Sequence, residues 1–164
     1  MKNVLKFSGL IALVLGAVGF ILMMATPAVV YNNSLTGTTT NYAGTLAIFG
    51  GETTLVTYTL AWNALLAWIF SLVAIIIVCC GIVLPLLKIK ALDKFSGILN
   101  LVAVALFAVA GVFLFFTVPA FHAANEIAVP EKSVLGAGYV FAAIFYLVSA
   151  GFAALPVVAQ IIKK

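Results

Sequence analysis

The side chains able to do chemistry in this chain are few, and their spacing keeps most of them apart. His122 is the single histidine. Glu126 follows four residues later, so on a helix the two would share a face. One imidazole and one carboxylate fall short of the three or four ligands that a transition-metal site takes. His122 therefore reads as an interfacial polar residue, and no metal is expected. Glu126 and Glu131 could form an acid pair, but nothing beside them supplies a nucleophile or a pocket. The single aspartate, Asp93, falls on the opposite side of the chain's layout from His122, so no Ser-His-Asp set can be assembled. Gly50-Gly51 lacks the spacing and the lysine of a phosphate-binding loop. Cys79 and Cys80 are adjacent within an apolar run and read as small apolar filling of a helix rather than a redox pair. Asn32-Asn33-Ser34 spells a glycosylation acceptor, which matters only in a eukaryotic host. No catalytic residue, cofactor or enzymatic activity is expected.

The elements that carry these residues follow from composition. Of 164 residues 66% are hydrophobic and 7% charged, with a mean hydropathy of +1.33. A soluble domain is about half apolar and a quarter charged, so lipid must be the solvent for most of this chain. Four spans of roughly 20 residues fit its length, with one modest external element. The expected fold is an all-α membrane protein, a four-transmembrane-helix bundle. A small extracellular antiparallel β element stands between its first two helices. The spans are placed at about 6–30, 62–87, 95–118 and 133–162. The first follows Lys2 and Lys6 and is longer than the ~7–15 residues of a signal-peptide core. Pro27 falls near its end, Pro85 ends or kinks the second span, Pro119 stops the third, and a bend is expected before Pro156.

Small residues repeat at three- and four-residue spacing. Ala12, Gly16 and Gly19 lie on one side of the first span. Gly138 and Ala142, Ser149 and Ala153, and Ala150 and Ala154 pair on the fourth. Such positions let helices approach closely and read as packing within the bundle. All eight basic residues are lysines, a composition that suits a bacterial host. Lys2, Lys6, Lys88, Lys90, Lys94, Lys163, Lys164 and Asp93 fall on one side, seven positive and one negative, net +6. Glu52, Glu126, Glu131 and Lys132 fall on the other, three negative and one positive, net −2. The positive-inside rule places both termini in the cytoplasm, across a plasma membrane, and the 31–61 segment outside. Lysines at membrane boundaries are topology signals, and no nucleic-acid partner is expected. No charged residue falls mid-span, which argues against a proton-coupled pump.

The 31–61 segment, with 88–94 and 119–132 as the other loops, is where recognition is expected. Ala43–Phe49 alternates, with Leu46 and Ile48 on one face. Gly50-Gly51 suits a tight hairpin turn. Thr54, Val56, Tyr58 and Leu60 then share a face of a second strand. Residues 31–42 can add one or two further strands. Tyr42, Leu46, Ile48, Phe49, Val56 and Tyr58 are the expected contact residues. The partner is a second copy of the chain or another membrane protein, besides the bilayer itself.

The order of elements is helix, β-rich loop, helix, tight basic turn, helix, short loop, helix. It resembles the claudin-like tetraspan proteins across nearly the whole chain. Tyr42-Ala-Gly44 and Ile48-Phe49-Gly50-Gly51 are the motif-like pieces of the first loop, which holds no cysteine and no Trp-Gly-Leu-Trp stretch. The chain is also similar to small four-span bacterial membrane proteins of unknown function. Polarity and strand pattern concentrate in the first loop while the helices read as scaffold, so the expected function is that of a non-enzymatic tetraspan protein whose external loop makes contacts. The alternatives are a channel or transporter subunit acting as an oligomer, and a membrane-protective immunity or stress protein.

Overall fold

A computed structural model describes residues 2–34, 36–53, 56–83, 90–127 and 132–162. Four long helices dominate it: α1 (Lys2–Ala25), α3 (Trp62–Val83), α4 (Lys90–Phe115) and α6 (Ala137–Ile162). Each contains a stretch long and apolar enough to cross a bilayer: Phe7–Ala25, Trp62–Val83, Gly97–Phe115 and Ala137–Ala159. No more than 33% of the residues in any of these stretches is buried. The outward surface carries Val14, Ile21, Ile76, Val112 and Leu155. Apolar residues on every face, with only a minority enclosed, are what a multi-pass membrane protein presents to lipid.

The helices form a ring. α6 packs most extensively on α1 and α4, α3 packs on α4, and α3 closes the ring against α1. At its centre the ring of Phe107 stacks on Tyr146, with centroids 6.0 Å apart and planes 26° apart. Gly16 admits the Phe107 ring, since a Cβ there would lie 2.7 Å from it. Gly19 lies against Tyr146 and the Ala142 carbonyl, and Gly138 against the Thr26 side chain. Ala142 and Ala150 are buried and Ala154 is half-buried. The small residues therefore bring α1 and α6 together inside one chain.

At one end the ring is capped by strands. The Thr26 hydroxyl and N–H both donate to Leu22 O, at 2.7 and 3.1 Å, closing the last turn of α1. Pro27 disfavours a helical Thr26 and starts a strand instead. The first helix thus ends at Ala25, short of the expected residue 30. β1 (Pro27–Asn32) pairs antiparallel with β2 (Thr39–Ala43) on one side and with β5 (Ser133–Leu135) on the other, in the order β2-β1-β5. The sheet is not confined to the segment between the first two spans. It takes its third strand from residues expected to begin the fourth helix, which starts at Ala137.

The stretch expected as the first hairpin strand is a helix, α2 (Gly44–Phe49). Its buried residues Gly44, Ala47 and Ile48 sit at i, i+3 and i+4, the helical repeat. Gly50 ends it: φ is 69°, and its N–H donates to Leu46 O at 2.9 Å. The glycine pair read as a hairpin turn is a helix stop. A short hairpin follows, β3 (Gly51–Glu52) with β4 (Thr57–Tyr58), closed by Thr53 N–H to Val56 O at 2.9 Å.

The third span expected to stop at Pro119 ends at Phe115, and α5 (Thr117–Asn125) follows. Pro119 lies in the first turn of α5, where its missing N–H has no intrahelical partner to lose. The 119–132 segment expected as loop is thus partly helical. α4 begins at Lys90, inside the expected 88–94 turn, and α6 runs through Pro156. Pro85, Lys88, Thr54 and Glu131 lie outside the described residues.

Candidate functional site

The capped end gathers aromatic and polar side chains from three separate elements. Tyr42 comes from β2, Tyr58 from β4 and Phe121 from α5. Tyr42 meets Tyr58 edge-on, with centroids 5.6 Å apart and planes at 67°. Tyr58 stacks on Phe121 at 6.1 Å and 15°, and Tyr42 lies 5.2 Å from Phe121. Phe121 is fully buried, and the two tyrosines are half-buried above it. Burial first, and then the neighbouring Tyr58 hydroxyl and Tyr31, push the Tyr42 phenol up from its usual range, so it remains protonated at neutral pH.

Asn125 ties this cluster together. Its Oδ1 accepts from Thr59 N–H at 2.6 Å, and its Nδ2 donates to Thr59 O at 2.9 Å and to Phe121 O at 2.8 Å. The side-chain amide stands in for a neighbouring strand and clamps the chain after β4 to the end of α5. The next residue, Glu126, is the αL cap of α5, with φ 52° and ψ 34°. It is the only non-glycine with positive φ among the described residues. Its N–H and that of Ile127 both donate to His122 O, so one carbonyl takes the 5→1 bond of an αL cap and a 6→1 bond beside it. Glycine usually holds this place, and a side chain there costs about 1–2 kcal/mol.

Between these walls lies an open pocket of about 390 Å³. It is lined by Tyr42, residues 56–59 and residues 124–127. Of the expected contact residues, Tyr42, Val56 and Tyr58 line it. Leu46 is half-buried and packs near Gly51. Phe49 is half-exposed and meets Trp68 edge-on at 5.2 Å. Ile48 is fully enclosed in the core, so it offers no surface to a partner.

His122 and Glu126 are separated by their surroundings. Glu126 is exposed at the pocket, while His122 is 4% exposed and is not part of the lining. Both imidazole nitrogens are buried without a hydrogen-bond partner. Burial pushes the His122 imidazolium below its ordinary range. Among the described residues no three His, Cys, Asp or Glu side chains come together as a metal set. Cys79 and Cys80 are exposed on α3.

The buried His122 has a consequence for pH. The unfolded chain binds a proton near pH 6.5 and the folded chain only below that, so the unfolded state gains protons first as pH falls. Stability from this group is fully present above about pH 6.5 and is lost as pH drops towards the lowered folded value. Thermal melts across pH 5–8 are expected to show this acid-side loss, and His122→Leu to flatten it. An unchanged slope in that variant would assign the acid sensitivity elsewhere.

Asn125 and Phe121 fall in a segment that reads as a loop, so the sequence alone gives neither of them a structural role. Their signal is the i, i+4 spacing, visible only once α5 is known to be a helix. No protein-family model, curated protein or solved structure matches this chain.

Proposed function

We propose that the protein is a non-enzymatic tetraspan membrane protein, claudin-like in architecture. Its four apolar helices cross the plasma membrane, and its capped end is an extracellular recognition surface. The lysine distribution supports cytoplasmic termini and an external sheet, and the all-lysine composition favours a bacterial cell. The observation that carries recognition is the outer edge of β2, which has no further strand beside it among the described residues. This strand ends the sheet order, and Thr39, Thr40 and Asn41 are exposed along it. An open strand edge accepts another strand. Phe49 and Val56 offer large apolar surface at the same end of the bundle, 48% and 49% exposed. The partner is a second copy of the chain or another membrane protein.

The test is in-membrane cross-linking of a Phe49→Glu, Val56→Glu variant. Cross-linked species are expected to fall by roughly tenfold, the effect of losing apolar anchors at an interface centre, while all four spans stay inserted. Oligomers or complexes that persist undiminished would refute the reading.

A further inference from the structure

The pocket has a chemical character of its own, and the inference from it does not rest on the recognition reading above. Phe121 covers one face of Tyr58 and takes no part in the lining, so the opposite face of Tyr58 is the one available to the pocket. Tyr42 stands at 67° to that ring, so the two phenols form a corner. Glu126 lines the same space, and no lysine or arginine occurs among its described lining residues. The walls are preformed. The Asn125 clamp fixes β4 against α5, and the αL cap fixes the backbone that bears the carboxylate.

An electron-rich ring face beside a second phenol, with a carboxylate on the rim and no lysine or arginine among the described lining residues, suits an organic ammonium group. A cation over such a ring is attracted by its quadrupole, and the carboxylate adds a direct charge term. The volume, about 390 Å³, accommodates a trimethylammonium head with part of its chain. Glu126 occupies a backbone conformation that glycine would hold more easily. Strained non-glycine residues of this kind recur where a side chain is needed at a ligand site.

We propose that the Tyr42–Tyr58 corner with Glu126 binds an organic ammonium group, carried either by a free quaternary amine or by a lipid headgroup. The experiment titrates the full-length protein in a non-ionic maltoside detergent with tetramethylammonium and with choline, by calorimetry or by NMR. The expected Kd is roughly millimolar. The uncharged isostere of choline, 3,3-dimethylbutan-1-ol, is expected to bind at least about tenfold more weakly. Tyr58→Leu is expected to lower choline affinity by roughly tenfold, and Tyr58→Phe to preserve it, because the ring face and not the hydroxyl is used. Glu126→Gly is expected to lower affinity while raising the melting temperature, because the left-handed strain is removed. Weaker binding in that variant cannot be ascribed to unfolding.

Nanodiscs separate the two sources. Choline binding that disappears in phosphatidylcholine discs and persists in phosphatidylglycerol discs assigns a headgroup. Equal binding in both assigns a free amine. Either result supports the site. Equal affinity for the neutral isostere, wild-type affinity in both Tyr58→Leu and Glu126→Gly, or no saturation by about 100 mM would overturn it.

Discussion

Gly44→Ala and Gly136→Ala are each expected to prevent the sheet from seating on the helices. A methyl on Gly44 would strike the Met23 carbonyl and lie 2.8 Å from the Thr26 carbonyl. A methyl on Gly136 would strike the Pro27 carbonyl. Neither neighbour can swing aside, because both are backbone. Local hydrogen bonds hold the same places: Gly44 N–H donates to Thr26 O, and Gly136 N–H to Ala28 O, each at 2.9 Å. The Tyr139 hydroxyl donates to Gly44 O at 3.1 Å from inside the core. Relief requires moving α2 off the end of α1 in the first variant and β1 off the start of α6 in the second, at a cost of roughly 3–5 kcal/mol per substitution. The measurement is thermal unfolding in detergent, followed by size-exclusion chromatography. Gly151→Ala is the control. Nothing lies within 4 Å of its added methyl, so a helix-favouring gain of about 0.5–1 kcal/mol is expected there. Wild-type melting in both Gly44→Ala and Gly136→Ala would show that the junction is not close-packed.

Phe107→Ala is the second large effect. The ring is fully buried, stacks on Tyr146 and fills the space that Gly16 leaves open. Truncation in a soluble core costs about 3–5 kcal/mol, through lost transfer and an unfilled cavity. With lipid as solvent the transfer part shrinks, because separated helices remain in an apolar medium. The packing part remains, and a loss of roughly 2–4 kcal/mol is expected. Titration with sodium dodecyl sulfate, monitored by circular dichroism, measures it. A loss under about 1 kcal/mol would mean that the helices collapse into the gap.

The four spans were legible because lipid imposes a blunt requirement: about 20 apolar residues without charge. The capped end obeys finer rules. Over the six residues Gly44–Phe49 a period of two and a period of 3.6 both fit, and the choice is made by burial of Ala47 and Ile48 against the bundle. Gly50-Gly51 fits a hairpin turn and a helix stop equally well from its own sequence. β5 is three residues long, and its pairing with β1 joins positions about a hundred residues apart, beyond any local signal. Each tyrosine is legible on its own as a residue of the polar loop. Their corner, and its carboxylate on Glu126, depend on α5 and on Asn125, which only the assembled end brings into place.

The sheet also decides where this bundle can move. α1 passes into β1 with Thr26 alone between them, and β5 passes into α6 with Gly136 alone between them. β1 and β5 are then laced edge to edge. The first and last spans are therefore joined like the arms of tweezers, with the spring at the capped end. Any parting of α1 from α6 must swing about that spring and be widest at the opposite, lysine-bearing end. A motion of one arm is delivered to the other through Thr26, the paired strands β1 and β5, and Gly136.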